Sequence, residues 1–360
     1  MVNAFNFLCA LVAASTVLTF LRNRRSGAPP CLAPFDVRRT MPIRGLLALL
    51  VVVGHCDNLA KGSEILHYIH WSTPAVAVFF FLSGYGLFKS MEARPGEYLG
   101  GLPLRSLVKL GVPLLVALVV MCLCLKLGGH NIRLLSRLSA MAIKGSSFPP
   151  HSWYVWSLFF LYAYFWLSFR FLPRRAGIAA FALLTTAHFA TLRWGLRWQK
   201  WWWLTVMSMP VGVVWASCEE RIASCVRRLS WRFYALALLY MALLAAAWQI
   251  LPNNMRLARN FVHIAVYMAM GPAVALSAYA IRGLPRALVA PFAFLGRISL
   301  EIYLLHFVGE RIIRKSGWGP WTSLLVVLAV TLPLAYAAHA FDTAVVNKLL
   351  GRRRKDERRK

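Results

Sequence analysis

Apolar residues run through this chain in long unbroken blocks, not in the short periodic patches of a fold that faces water. Blocks of roughly 15 to 21 residues fall at about 3–21, 41–56, 72–88, 106–125, 153–169, 176–191, 202–217, 233–251, 261–281, 288–307 and 321–341. A helix needs about 20 apolar residues to cross the hydrocarbon of a bilayer, so each block predicts a membrane span. The expected fold class is all-α, a polytopic transmembrane helical bundle with about ten core helices plus one N-terminal helix. No internal repeat or low-complexity tract divides the chain. The expected organisation is 1–35 as an N-terminal anchor helix and basic linker, 36–345 as the membrane domain, and 346–360 as a basic cytoplasmic tail.

Composition agrees with this pattern. The 360 residues are 59% hydrophobic and only 15% charged, too little charge to cover the surface of a soluble protein of this size. Lys and Arg number 41 against 12 Asp and Glu, a net charge of +29. In a soluble chain that balance would suggest nucleic acid, but here the cations sit in short segments between apolar blocks. One alternating set of connections holds 25 of them and the other 13. The richer set is expected to face the cytoplasm, which puts the N-terminus outside and the C-terminus inside. No basic residue precedes the first block, and Arg22, Arg24 and Arg25 follow it. A cleaved signal peptide has the reverse order, so a retained helix is expected. The seven cysteines form no CxxC pair and imply neither a disulfide framework nor a zinc site.

Ionisable side chains inside apolar blocks cost about 2.5 to 3.5 kcal/mol on insertion scales, so those that remain mark polar cavities. Thr40 and Pro42 read as the cap and first turn of the second block, which carries Arg44 and His55. Eleven helical steps of about 100° return to the same face, about 16 Å further along the axis. Arg44 then lies towards the cytoplasm and His55 towards the outside. A snorkelling arginine and a histidine satisfied by a neighbouring carbonyl would give the same spacing. The third block places Ser83, Gly84, Tyr85 and Gly86 together, suited either to close helix packing or to a hydroxyl facing a cavity. Arg105 and Lys109, one turn apart, suit a polyphosphate or lipid headgroups equally.

The tenth block carries Arg297, Ser299, Glu301, Tyr303 and His306. On a straight helix Arg297 and Glu301 pair across one turn, while Ser299, Tyr303 and His306 line another face. His67 and His70 have helical metal spacing without a third ligand, so no metal centre is expected. Cys56 points about 100° away from His55, which argues against a nucleophile there. Trp194, Trp198 and Trp201 to Trp203 read as an interfacial aromatic belt, with a sugar-stacking platform as the alternative.

Taken in order, Asp36 to His55, Val78 to Tyr85, His151-Ser-Trp153-Tyr154 and Leu295 to His306 resemble the acyltransferase 3 family of integral membrane O-acyltransferases. The resemblance spans residues 36 to 341. It implies a helical bundle that takes an acyl group, usually acetyl, from cytoplasmic acyl-coenzyme A as donor substrate. The acceptor would be a hydroxyl of an extracytoplasmic glycan, glycolipid or related molecule, and the setting the plasma membrane, the inner membrane of a bacterium. It makes Arg44 and His55 essential and gives basic residues near the fourth block a role in guiding the coenzyme. His151 and Trp153 enter as supporting residues because they stand in a matching stretch. The family often carries Arg-x-x-Arg where this chain has Arg105 and Lys109 at wider spacing, and its core of about ten helices leaves block 3–21 as an addition.

On this reading Arg44, Arg105 and Lys109 hold phosphate or pantetheine groups from the inner side. His55, with a reference pKa near 6.5, takes the proton of an acceptor hydroxyl that attacks the thioester. A transient acyl-His intermediate is the rival. Ser83, Tyr85 or His306 would orient His55 or stabilise the oxyanion. A transporter or flippase for a glycan precursor is the alternative class, although the broken-helix pairs of secondary transporters are not evident.

Overall fold

A computed structural model describes residues 37–59, 71–229, 255–280, 286–314 and 316–357, with single positions between 232 and 250. The described residues are helical without a strand, as the apolar blocks require. In chain order the helices are α1 (Val37–Leu59), α2 (Ser72–Ala93), α3 (Pro95–Leu127), α4 (Leu134–Lys144), α5 (Trp153–Phe171), α6 (Arg174–Ala190), α7 (Ser208–Leu229), α8 (Arg256–Ala280), α9 (Arg286–Arg297), α10 (Ser299–Leu305), α11 (Phe307–Ile313) and α12 (Pro320–Glu357). Among them four are long and apolar enough to cross a membrane alone, α2, α3, α12 and α6 with its π-helical extension, and a fifth if one bent pair counts as a span. That is fewer than the expected number. Block 3–21 and most of block 233–251 lie outside the described residues, and α5 owes its apolar surface to Trp and Tyr, which hydropathy treats as weakly polar.

Successive helices run back and forth, which sorts the connections to two ends. Gly54 meets Ser72, Gly128 meets Arg311, and Gly145 meets Trp198 at the end that carries His55. At the other end, which carries Arg44, Gly296 meets Met41, and Arg174 bridges Glu92 and the Ser217 carbonyl. The bare apolar flanks of α3 (Leu107, Leu115, Val119, Leu123) and α12 (Leu325, Tyr336) face outward, where lipid would cover them.

Two helix crossings have no room for a side chain. A Cβ on Gly45 would fall 2.0 Å from the Phe292 carbonyl oxygen, and one on Gly296 would fall 1.9 Å from that of Met41. This reciprocal contact locks α1 against α9 immediately beside Arg44. A second pair, Gly84 against the Met209 carbonyl (2.2 Å) and Gly212 against that of Phe81 (2.1 Å), locks α2 against α7. Without a hydrophobic driving force between spans, such close backbone approach supplies the packing energy. The expected packing role of Gly84 is therefore observed, whereas Gly86 has open space around it.

Two local expectations are corrected. The tenth block is not a straight helix: it turns by 66° at Ile298, between Val289–Arg297 and Ser299–Ile313. No proline marks the turn. It follows Gly296, the residue pressed on Met41, where the helix has least side-chain support. Pro42 lies inside α1 instead of in its first turn, because the helix already includes Val37, so Thr40 is a helical residue and not the cap. α12 runs as one helix from Pro320 to Glu357 and so takes in most of the expected basic tail, 346–360.

Gly84→Ala is expected to cost about 1 to 3 kcal/mol from overpacking and to lower the thermal midpoint of detergent-solubilised protein. Gly86→Ala should leave the midpoint unchanged or raise it slightly, since alanine favours helix and nothing there obstructs it.

Candidate functional site

The polar residues form a line from one end of α1 to the other. At its His55 end three imidazoles surround one carboxylate. His55 comes from the last turns of α1, His151 from the turn before α5, His306 from the junction of α10 and α11, and Glu310 from α11. His306 Nε2 lies 2.9 Å from His55 Nδ1 and 3.2 Å from Glu310 Oε1. His151 Nε2 lies 3.2 Å from Glu310 Oε2, and His55 Nδ1 lies 3.9 Å from Oε1. The rings of His55 and His306 stack with centroids 4.9 Å apart, and His151 is 4.2 Å from His55. His306 is fully enclosed, while the side chains of His55 and His151 keep 24% and 17% exposure. Those two imidazoles therefore face the opening.

Local structure explains the convergence. Ile302, His306 and Glu310 are spaced four apart, so they stack along one side of the α10–α11 segment. The 66° turn aims that side at the end of α1. His306 Nδ1 lies 3.2 Å from the Ile302 carbonyl, which only accepts, so Nδ1 carries the proton. His306 Nε2 stands between His55 Nδ1 and Glu310 Oε1 and so links the imidazole of α1 to the carboxylate. His151 adopts φ +63°, a left-handed conformation that a residue with a Cβ holds at a cost of about 1 to 3 kcal/mol. The turn at 149–152 spends that strain on delivering the imidazole to Glu310.

The Arg44 end is a separate space. A pocket of about 120 Å³ is lined by Arg44, Phe79, Ser83, Leu110, Tyr154, Leu158, Tyr162, Ser299, Leu300 and Tyr303. Arg44 thus turns into the bundle, and its buried Nε has no hydrogen-bond partner among the described residues. Tyr303 belongs to both places: it lines this pocket, and its ring lies 6.1 Å from that of His306. Beyond the pocket, at the bundle end, Arg105 and Lys109 share a cavity of about 730 Å³ with Arg94, Glu97 and Asn347. Arg105 donates to the Glu97 and Tyr98 carbonyls at 3.1 and 2.5 Å and lies over the Tyr98 ring.

Some expected neighbours are elsewhere. The Arg297–Glu301 pair is not formed, because the turn at Ile298 separates them. Arg297 is exposed, and Glu301 Oε1 instead lies 2.9 Å from His339 Nδ1 of α12. Tyr85 is not near His55; its hydroxyl donates to Glu219 at 2.8 Å, where Lys89 also pairs. Trp153 is a wall residue, 6.3 Å ring to ring from Trp202. Trp202 and Trp203 are buried and donate to backbone carbonyls, so only Trp194 and Trp201 of that cluster stand well exposed. Cys56 is buried. His67 and His70 lie outside the described residues.

The residue that sequence reasoning missed is Glu310. It lies just beyond the apolar block and so escaped the search for acids inside spans, although the His306–Glu310 spacing was its visible signal.

A model of the acyltransferase domain of acyltransferase 3 proteins matches residues 43–340. The chain belongs to the acyltransferase 3 family. It is accordingly a membrane acyltransferase. No curated protein and no solved structure gives a significant match. The family match takes in the helix with Arg44 and His55, the turn with His151 and the segment with His306 and Glu310.

The donor atoms of His55, His151, His306 and Glu310 lie within 4.8 Å of one another, close enough to hold a cation. The 2.9 Å between His306 and His55 is hydrogen-bond spacing, below the roughly 3.3 Å that separates ligand atoms around a tetrahedral zinc ion. Prolonged chelation is therefore expected to leave acyltransferase activity intact, with loss of activity restored by zinc as the contrary result. Glu310→Gln should lower turnover by about a hundredfold or more, and Glu301→Gln far less, in an assay of thioester cleavage.

Proposed function

We propose that the protein is an O-acyltransferase that moves a short acyl group, acetyl in the simplest case, from acyl-coenzyme A to a hydroxyl of a glycan or glycolipid. The Arg44 end faces the cytoplasm of a plasma membrane and the imidazole end faces outward. The observation that carries this reading is the order through the bundle: a cavity with cations between α3 and α12, then Arg44 in a narrow pocket, and the imidazole and carboxylate cluster at the far end of α1.

Coenzyme A has the same polarity, with phosphates at one end and a thioester at the other. Arg105 and Lys109 receive the phosphates in the larger cavity. The pantetheine arm extends past Arg44, between Ser83, Tyr154 and Tyr303, and brings the thioester towards the imidazoles.

His55 takes the proton of the acceptor hydroxyl as its oxygen attacks the thioester carbon. A carbon–oxygen bond forms, the carbon–sulfur bond breaks, and the proton passes to the departing thiolate. Glu310 offsets the positive charge on the imidazoles in the meantime, and His306 fixes the ring that receives it. The 3.2 Å contact of His151 with Glu310 supports a second reading in which His151 is the base.

His55→Ala in correctly inserted protein is expected to lower acetyl transfer by about 10² to 10⁴-fold. Undiminished transfer with loss in His151→Ala would move the role to His151. Trapping an acyl-protein adduct with labelled donor would support the covalent route. Arg105→Ala with Lys109→Ala should raise the KM for acetyl-coenzyme A about tenfold with a smaller change in kcat. Transport of a glycan precursor without consumption of the thioester would overturn the whole reading.

A further inference from the structure

The end of the bundle that carries the imidazoles is strongly basic in a way that membrane insertion does not explain. From Tyr98 to Cys218 the sequence contains no acidic residue. Glu310 is the one acidic side chain described at this end, and it is committed to the histidines; the sequence adds Asp57 and Glu64, outside the described side chains. Around it stand Lys126, Arg133, Arg137, Lys144, Arg311 and Arg314, none in an ion pair among the described residues. At the opposite end Lys89, Arg94 and Arg174 all have carboxylate partners. Cations outside the membrane work against the orientation proposed above, so this set answers to something other than topology.

Three of the six lie beside the segments that carry the histidines and Glu310. Arg311 and Arg314 follow Glu310 by one and four residues, and the Arg311 guanidinium lies 3.5 Å from where a Cβ on Gly128 would stand. Arg137, on α4, stacks 5.0 Å over Phe148, at the start of the turn that carries His151. α11 with the residue that follows it and α4 thus bring positive charge beside the imidazole and carboxylate cluster. Lysines and arginines that serve lipid headgroups run along the lipid-facing ends of spans; Arg311 and Arg314 instead follow Glu310 on the segment that supplies it to the cluster.

The geometry points to an anionic acceptor: a glycan or glycolipid bearing carboxylate or phosphodiester groups close to the hydroxyl that is acylated. This rests on the acyl-transfer reading and specifies its acceptor. Charge at the mouth raises the local concentration of such an acceptor and sets its register, while the hydroxyl remains free to reach the imidazoles.

The test uses the full chain in nanodiscs of neutral phosphatidylcholine, with a uronate oligosaccharide and its carboxyl-reduced, neutral counterpart as probes. Binding is measured on the His55→Ala protein, so that no turnover intervenes, and acetyl transfer on the native one. The anionic probe is expected to bind about tenfold more tightly, and the preference to shrink as salt is raised. Arg311→Gln with Arg314→Gln should weaken anionic binding about fivefold and leave the neutral probe and thioester cleavage by water unchanged. Arg137→Gln provides an independent check if the double variant does not fold, and Arg314→Lys should retain the preference. Equal binding of the two probes, or a preference untouched by both sets of substitutions, overturns the inference. So does a charge effect that follows the phosphatidylglycerol content of the nanodisc and not the probe, which would make the patch a headgroup site. If the native protein cleaves no thioester while the binding preference holds, it is the acyl-transfer reading that fails.

Discussion

A carboxylate enclosed by three imidazoles is the contact on which this molecule turns. Glu310 is almost wholly buried and would be costly as an isolated charge in an apolar bundle. His151 and His306 each approach it to 3.2 Å, and His55 reaches it through His306. Each group makes the others tolerable: the acid gives a protonated imidazole a counter-charge, and the imidazoles give the acid donors that lipid cannot supply. To bring them together the fold bends one helix by 66° and holds a histidine in a left-handed turn. The strain is local, and it sits where the chemistry is.

The rest of the bundle serves to keep that cluster aligned with Arg44. α1 carries both ends of the polar line, so its position matters more than that of any other helix. Gly45 and Gly296 seat it against α9 with carbonyl oxygens where side chains would otherwise be. The same α9 leads through the turn at Ile298 into α10 and α11, which bring Ser299, Tyr303, His306 and Glu310. One rigid joint therefore fixes the relative placement of residues from both halves of the site.

Much of this was legible in the sequence, for identifiable reasons. Long apolar blocks dictate helices, and Arg44 and His55 declare themselves because lipid penalises them. Helical arithmetic then puts them on one face of one helix. The same arithmetic failed for Arg297 and Glu301, since it assumes a straight axis and the turn at Ile298 has no proline to announce it. Glu310 stayed hidden because hydropathy ends the span before it, although the bend carries it back towards the bundle. Tyr85 looked like a neighbour of His55 through its position beside Ser83, but on α2 the two side chains diverge: Ser83 faces the Arg44 pocket and Tyr85 faces Glu219. Residues adjacent in a motif need not be adjacent in a site.

The joint between Gly45 and Gly296 separates what the protein must preserve from what it is free to revise. Neither position tolerates even a methyl group, so drift there at once disturbs the alignment of Arg44 with the imidazole cluster. α4, which carries Arg137, hangs from that frame without such contacts and buries none of its residues. Selection can therefore redraw the rim to suit a different acyl acceptor while the frame beneath it stays untouched.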